Sequence, residues 1–144
     1  MTAVRQVFDT AIHLMDAQNH SNGQTDTPDN RAYLLRTPAL INSLQDRVFS
    51  ADADAEGLPG SRPECPRVTD IDDKLDLEDR LAFSVLPYGL AGLLLSEEDP
   101  VRADFFWQTF QEHLLEARFS VPALETSVTD LYGGVGENRF GAWP

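Results

Sequence analysis

The amino-acid sequence predicts an all-α fold, a small helical bundle with a long acidic, proline-rich loop and an extended C-terminal arm, on three observations. Apolar residues recur at spacings of three and four over 2–18, 40–49, 81–86 and 101–115, which draws a stripe along one side of a helix. A residue suited to capping stands directly before proline in Thr27-Pro28, Thr37-Pro38 and Asp99-Pro100, a pairing that opens helices. The third is the stretch 85–95, Val-Leu-Pro-Tyr-Gly-Leu-Ala-Gly-Leu-Leu-Leu, the longest apolar run of an otherwise strongly acidic chain. It falls well short of the ~20 residues that cross a bilayer, so it belongs in a core.

Taken in order, Val4, Val7, Phe8, Ala11, Ile12, Leu14 and Met15 form the first stripe, over 2–18. Thr2 is placed to cap that helix, and Asn19-His20-Ser21-Asn22-Gly23-Gln24 to stop it. A short helix follows over 28–35, with Asp29 at the positive end of its dipole. Because the residue before a proline avoids the helical region, the chain is expected to bend near Thr37 and restart, turning Leu40, Ile41, Leu44, Val48 and Phe49 inward. Residues 50–67 hold Asp, Ala, Gly, Pro59, Pro63 and Pro66 with little that is apolar, the composition of a long loop.

Residues 69–79 are dense in carboxylate, and a helix is expected from near Asp76, with Leu81, Ala82, Val85 and Leu86 on its inner side. The chain then breaks at Leu86 and a new helix covers 87–96. Gly89 and Gly92, one turn apart, would let another backbone come close to that face. The last long helix opens at Asp99-Pro100. Phe105, Phe106, Trp107 and Phe110 give it a wide apolar band, which implies core and subunit contacts together, because a helix apolar around much of its girth meets two surfaces. The bundle is therefore placed at 1–122 and the arm at 123–144.

Twenty-four Asp and Glu against eleven Lys and Arg give a net charge of −13, which repels phosphate and excludes a direct grip on nucleic acid. Cys65 is alone, so neither a disulfide framework nor a zinc constellation is written here. Arg5 and Asp9 interrupt the first apolar stripe, unlike the apolar core of a secretory leader.

Catalytic signatures are weak. His13, His20 and His113 lack a nucleophile or second ligand at a recognisable spacing. Asp52, Asp54, Glu56 and Gly57 imitate the start of a calcium loop, but the position for the bidentate glutamate is Pro63. Asp70, Asp72 and Asp73 offer oxygen ligands to magnesium, and serve equally as a charged helix entrance. Gly134 and Gly136 lack the following helix that a phosphate loop needs. The arm is the expected site: Leu131, Tyr132, Phe140 and Trp143 stand among glycines with no sequence neighbours to cover them, and fit pockets on another chain, or else on their own subunit.

Several strings point further. Val7-Phe8-Asp9 and Leu14-Met15-Asp16, Arg36-Thr37-Pro38 with Ile41-Asn42-Ser43-Leu44, Leu86-Pro87-Tyr88-Gly89-Leu90-Ala91 with Glu98-Asp99, and Tyr132-Gly133-Gly134 with Phe140-Gly141-Ala142-Trp143 occur together. In this combination the chain resembles head–tail connector (adaptor, head-completion) proteins of long-tailed phages and prophages of Gram-positive bacteria. The resemblance covers most of the chain but not 51–66. It implies a non-enzymatic virion protein of the neck, assembled in the host cytoplasm: a homo-oligomeric ring beneath the portal protein and above the next neck or tail-completion protein, without cofactor or membrane. An acidic lining would let DNA pass without adhering. Two other classes stay open, an acidic protein that imitates DNA to bind a basic partner, and a small metal-dependent enzyme using Asp70, Asp72 and Asp73.

Overall fold

The structure, a computed structural model, describes residues 1–49 and 65–120. These residues form α1 (Val4–Leu14), a 3-10 turn (Pro28–Asn30), α2 (Arg31–Phe49), α3 (Asp79–Ser84), α4 (Leu86–Leu95) and α5 (Pro100–Ser120). Their one β feature is an isolated antiparallel bridge between Ala3 and Lys74. The all-α class is the one expected. The arm at 123–144 and residues 50–64 of the acidic loop lie outside the described residues.

Helix α4 is the centre, as its sequence requires. Leu86, Pro87, Gly89, Leu90, Ala91, Gly92, Leu94 and Leu95 are all buried, with α5 laid along α4 most extensively and α1, α2 and α3 around the rest. The two glycines permit this. A Cβ on Gly92 would lie 3.2 Å from the Ala103 carbonyl oxygen and 3.3 Å from the Trp107 nitrogen, so α5 backbone rests directly on α4 there. A Cβ on Gly89 would come within 2.8 Å of the Phe110 ring.

Four expectations about boundaries need correction. The bend at Thr37 is absent, and α2 runs unbroken through Pro38. Thr37 is fully buried, its hydroxyl donating to the Tyr33 carbonyl at 2.7 Å, and Ile41, Leu44, Val48 and Phe49 pack inward on the same helix. Burial of that stripe outweighs the local preference of a pre-proline residue. Helix α1 ends at Leu14, well short of Gln18, because Asp16 takes a left-handed conformation (φ 56°). The Ala17 N–H then donates to Ile12 at 3.1 Å and the Asp16 N–H to His13 at 3.1 Å, closing the last turn.

Thr2 is not the cap of α1, and α3 starts at Asp79 instead of near Asp76, for one shared reason. Residues 71–75, a turn at 71–72 followed by the bridge residue Lys74, stay out of helix because they serve α1: Asp73 and Ile71 carbonyls accept the Val4 and Arg5 N–H groups at 3.0 and 2.8 Å, and the Leu75 N–H donates to Thr2 at 2.8 Å. The orphan donors of the first turn are thus satisfied by a distant segment. Gln6 Oε1 takes the Ala3 N–H at 3.0 Å, while the Thr2 hydroxyl donates to Asp79 at 2.7 Å.

Candidate interaction site

Helix α5 presents two faces of different character. Its inner face carries Ala103, Phe106, Phe110, Leu114 and Ala117, all buried. Its outer face follows the positions 101, 105, 108, 112 and 115, which the helical repeat stacks into one stripe opposite the core. Three of these five are large and apolar, and they face solvent: Val101 is 82% exposed, Phe105 64% and Leu115 50%. Gln108 and Glu112 separate them.

The stripe is backed by rigid structure. The Phe105 ring meets the buried Phe106 ring edge-on, with centroids 5.6 Å apart. Trp107 lies partly buried beside Phe110 at 5.0 Å, and the Arg47 guanidinium sits 5.7 Å from the Trp107 ring centre. Arg102 donates to the Met15 carbonyl at 2.8 Å, joining the first turn of α5 to the end of α1. Behind the same end of α5, the buried Tyr33 hydroxyl donates to Glu98, and burial together with that carboxylate pushes the phenol up to about 12.

The four aromatics expected to act together on α5 are therefore divided. Phe106 and Phe110 are core, Trp107 is intermediate, and Phe105 alone of the four stands well out in solvent. Val101 and Leu115 complete its face; their spacing of four and ten from Phe105 holds the signal. The arm anchors Leu131, Tyr132, Phe140 and Trp143 lie outside the described residues, as do Asp52, Asp54, Glu56, Gly57 and Pro63.

The carboxylates of 70–73 are spent on their own chain. Asp72 accepts from Arg5 Nε at 2.8 Å, a contact that holds its carboxyl below the usual carboxylate range. Asp73 is likewise held low by the Thr69 and Asp70 N–H groups at 2.7 and 2.9 Å. Asp70 accepts the Asp72 N–H at 3.1 Å. Among the described residues, no three His, Cys, Asp or Glu side chains converge as metal ligands, so this trio is not brought together as a cation site.

The histidines are equally dispersed. His13 lines an open cleft of about 440 Å³ with Asp9, Gln24, Thr25 and Asp26. His20 is exposed on the following loop. His113 Nδ1 donates to the Ser84 carbonyl at 2.8 Å and its ring meets Tyr88 edge-on at 4.7 Å. Cys65 is buried, in a segment clamped to α2 where buried Gln45 donates to the Pro66 carbonyl at 2.9 Å and Asn42 to Val68 at 2.7 Å.

Comparisons with protein-family models, with curated proteins and with solved structures found no match. No helix among the described residues is long and apolar enough to cross a membrane.

Proposed function

We propose that this protein is a structural, non-enzymatic subunit of a phage or prophage virion, a head–tail connector that forms a ring between the portal protein and the next neck or tail-completion protein. Beyond the sequence resemblance, the observation that carries this reading is the outer stripe of α5. A helix already packed on the core by Phe106 and Phe110 bears a second apolar face, Val101, Phe105 and Leu115, in a strongly acidic chain. Exposed apolar faces on rigid elements are what subunit contacts are made from.

A ring needs two different faces on each subunit, one for each neighbour. The α5 stripe supplies one. The arm, with Leu131, Tyr132, Phe140 and Trp143 as its anchors, supplies a second that reaches the portal or an adjacent subunit. The net charge of −13 suits a channel through which DNA passes without sticking. Location in the neck of the virion and assembly in the host cytoplasm belong to the same proposal.

Truncation after Asp130 tests the reading. The shortened protein is expected to stay helical and soluble, while phage particles built with it have heads that fail to acquire tails. Tailed, infectious particles at the normal yield would remove the arm from the mechanism, and normal yields from Phe105→Asp as well would remove the connector reading altogether.

A further inference from the structure

We propose that in the free subunit the outer stripe of α5 is covered by the chain's own residues 121–144, so that the surface used in assembly is occupied until assembly begins. The proposal deepens the connector reading by naming what regulates its α5 surface, and rests on that reading for the purpose of the cover.

The reach is sufficient. From Val101 to Leu115 the stripe spans ~21 Å at 1.5 Å per residue, and Leu115 lies little more than one turn before Ser120, where α5 ends. A chain reversing near Pro122 needs about 7 further residues to run back over that length if extended, or about 14 if helical. The 24 residues of 121–144 exceed both, and they carry Leu124, Val128, Leu131 and Tyr132 early enough to meet Leu115 and Phe105.

The size of the stripe favours a tethered occupant over a second copy. For two free subunits, without the arm and portal contacts that a ring adds, five positions on one helix face are far fewer than the roughly 20–30 residues that each partner contributes to a stable pairwise interface. A segment joined to the same helix has no such requirement. Covalent linkage to α5 gives it an effective concentration on the order of millimolar, so at about 10 µM protein it outcompetes a free copy roughly 100-fold. Phe105, braced edge-on by Phe106, is the fixed half of the contact.

The test places a benzophenone photo-crosslinker at Phe105 in the full chain, and a control at the exposed Leu35 of α2. An equal mixture of unlabelled and nitrogen-15-labelled protein is irradiated at micromolar concentration without any portal. Peptide mapping is expected to find crosslinks from 105 to residues within 121–144, joining peptides of the same label in at least ten-fold excess over mixed-label pairs, and few from 35. Mixed-label pairs in comparable amount would show a second copy in the seat and overturn the proposal. Failure of 105 to reach 121–144 would overturn it too. Since no tail or portal is present, either failure leaves the head–tail joining assay unaffected, and the two ideas stand or fall separately.

Discussion

Helices α4 and α5 lie against each other and are both rich in apolar residues, yet they make opposite use of them. In α4 nearly every residue is buried, and two glycines give up side chains so that neighbours can close in. In α5 the apolar residues divide between a core face, where Phe110 is 1% exposed, and a solvent face, where Phe105 is 64% exposed. On the connector proposal, residues of the same type on one helix thus belong to two problems, folding and association. Hydrophobicity alone does not tell them apart; angular position about the helix axis does.

The same substitution on the two faces should separate those problems most widely. Phe110→Ala removes a buried ring packed on Gly89 and beside Trp107 and is expected to cost about 3–5 kcal/mol in urea unfolding. Phe105→Ala is expected to cost about 1 kcal/mol or less, chiefly its edge contact with Phe106, while sharply reducing the yield of tailed particles. Equal destabilisation by both would mean that Phe105 belongs to the fold, and the contrast between the faces would collapse.

Gly92→Ala probes the seam itself. The added methyl group would press on backbone atoms of Ala103 and Trp107 at 3.2–3.3 Å, which have little room to retreat along a 21-residue helix. A gain of up to about 1 kcal/mol in helix propensity works in its favour. Overpacking of about 1–3 kcal/mol works against it and is expected to win, lowering the melting temperature by a few degrees. An unchanged or raised melting temperature would show that α5 slides easily on α4.

These two helices also show what the sequence could reveal. The burial of 85–95 and the use of Gly89 and Gly92 for close approach follow from composition and spacing alone, because a run so apolar has nowhere else to go. The continuity of α2 through Pro38 was hidden, since the local bias at Thr37 is written in two residues while the opposing burial of Ile41, Leu44, Val48 and Phe49 is a property of the whole fold. The non-helical course of 71–75 was hidden for the same reason: the Ile71 and Asp73 carbonyls are committed to the N–H groups of Arg5 and Val4, which lie more than 65 residues away in sequence. On α5, the four adjacent aromatics drew attention to their cluster, whereas the stripe through 101, 105 and 115 required sorting residues by helical angle. The arm anchors rest on sequence.

Tyr33 gives a smaller effect with a definite pH window. Its hydroxyl donates to Glu98, tying α2 to the corner between α4 and α5, so Tyr33→Phe is expected to cost about 1 kcal/mol near neutrality. The phenol is raised from 10.0 to about 12, so folding favours the neutral form. This contribution is complete below pH 10 and is lost as pH climbs towards 12. Ultraviolet titration of the folded protein should show a tyrosine step late, towards pH 12, that vanishes in Tyr33→Phe. A titration curve in which Tyr33→Phe removes no late step would count against the buried bond.

At the opposite end of the pH scale the effect is slighter, because the groups concerned are exposed and solvent screens them. Asp72 is held low by Arg5, Asp73 by the Thr69 and Asp70 N–H groups, and Asp79 by the Thr2 hydroxyl and the α-amino group. Each depressed carboxyl favours the folded state above the ordinary carboxylate value of about 3.9 and loses that contribution as pH falls through its lower folded value. Asp72 and Asp79 fasten 70–79 against the N-terminal residues and Asp73 braces the same loop, so acid should loosen that end of α1 before the α4–α5 seam. Amide exchange followed from about pH 5 to pH 3 should rise first at Val4, Arg5 and Leu75. Asp79→Asn should bring that loosening to higher pH without altering exchange along α4, and a uniform rise across both regions would show that the clasp and the core open together.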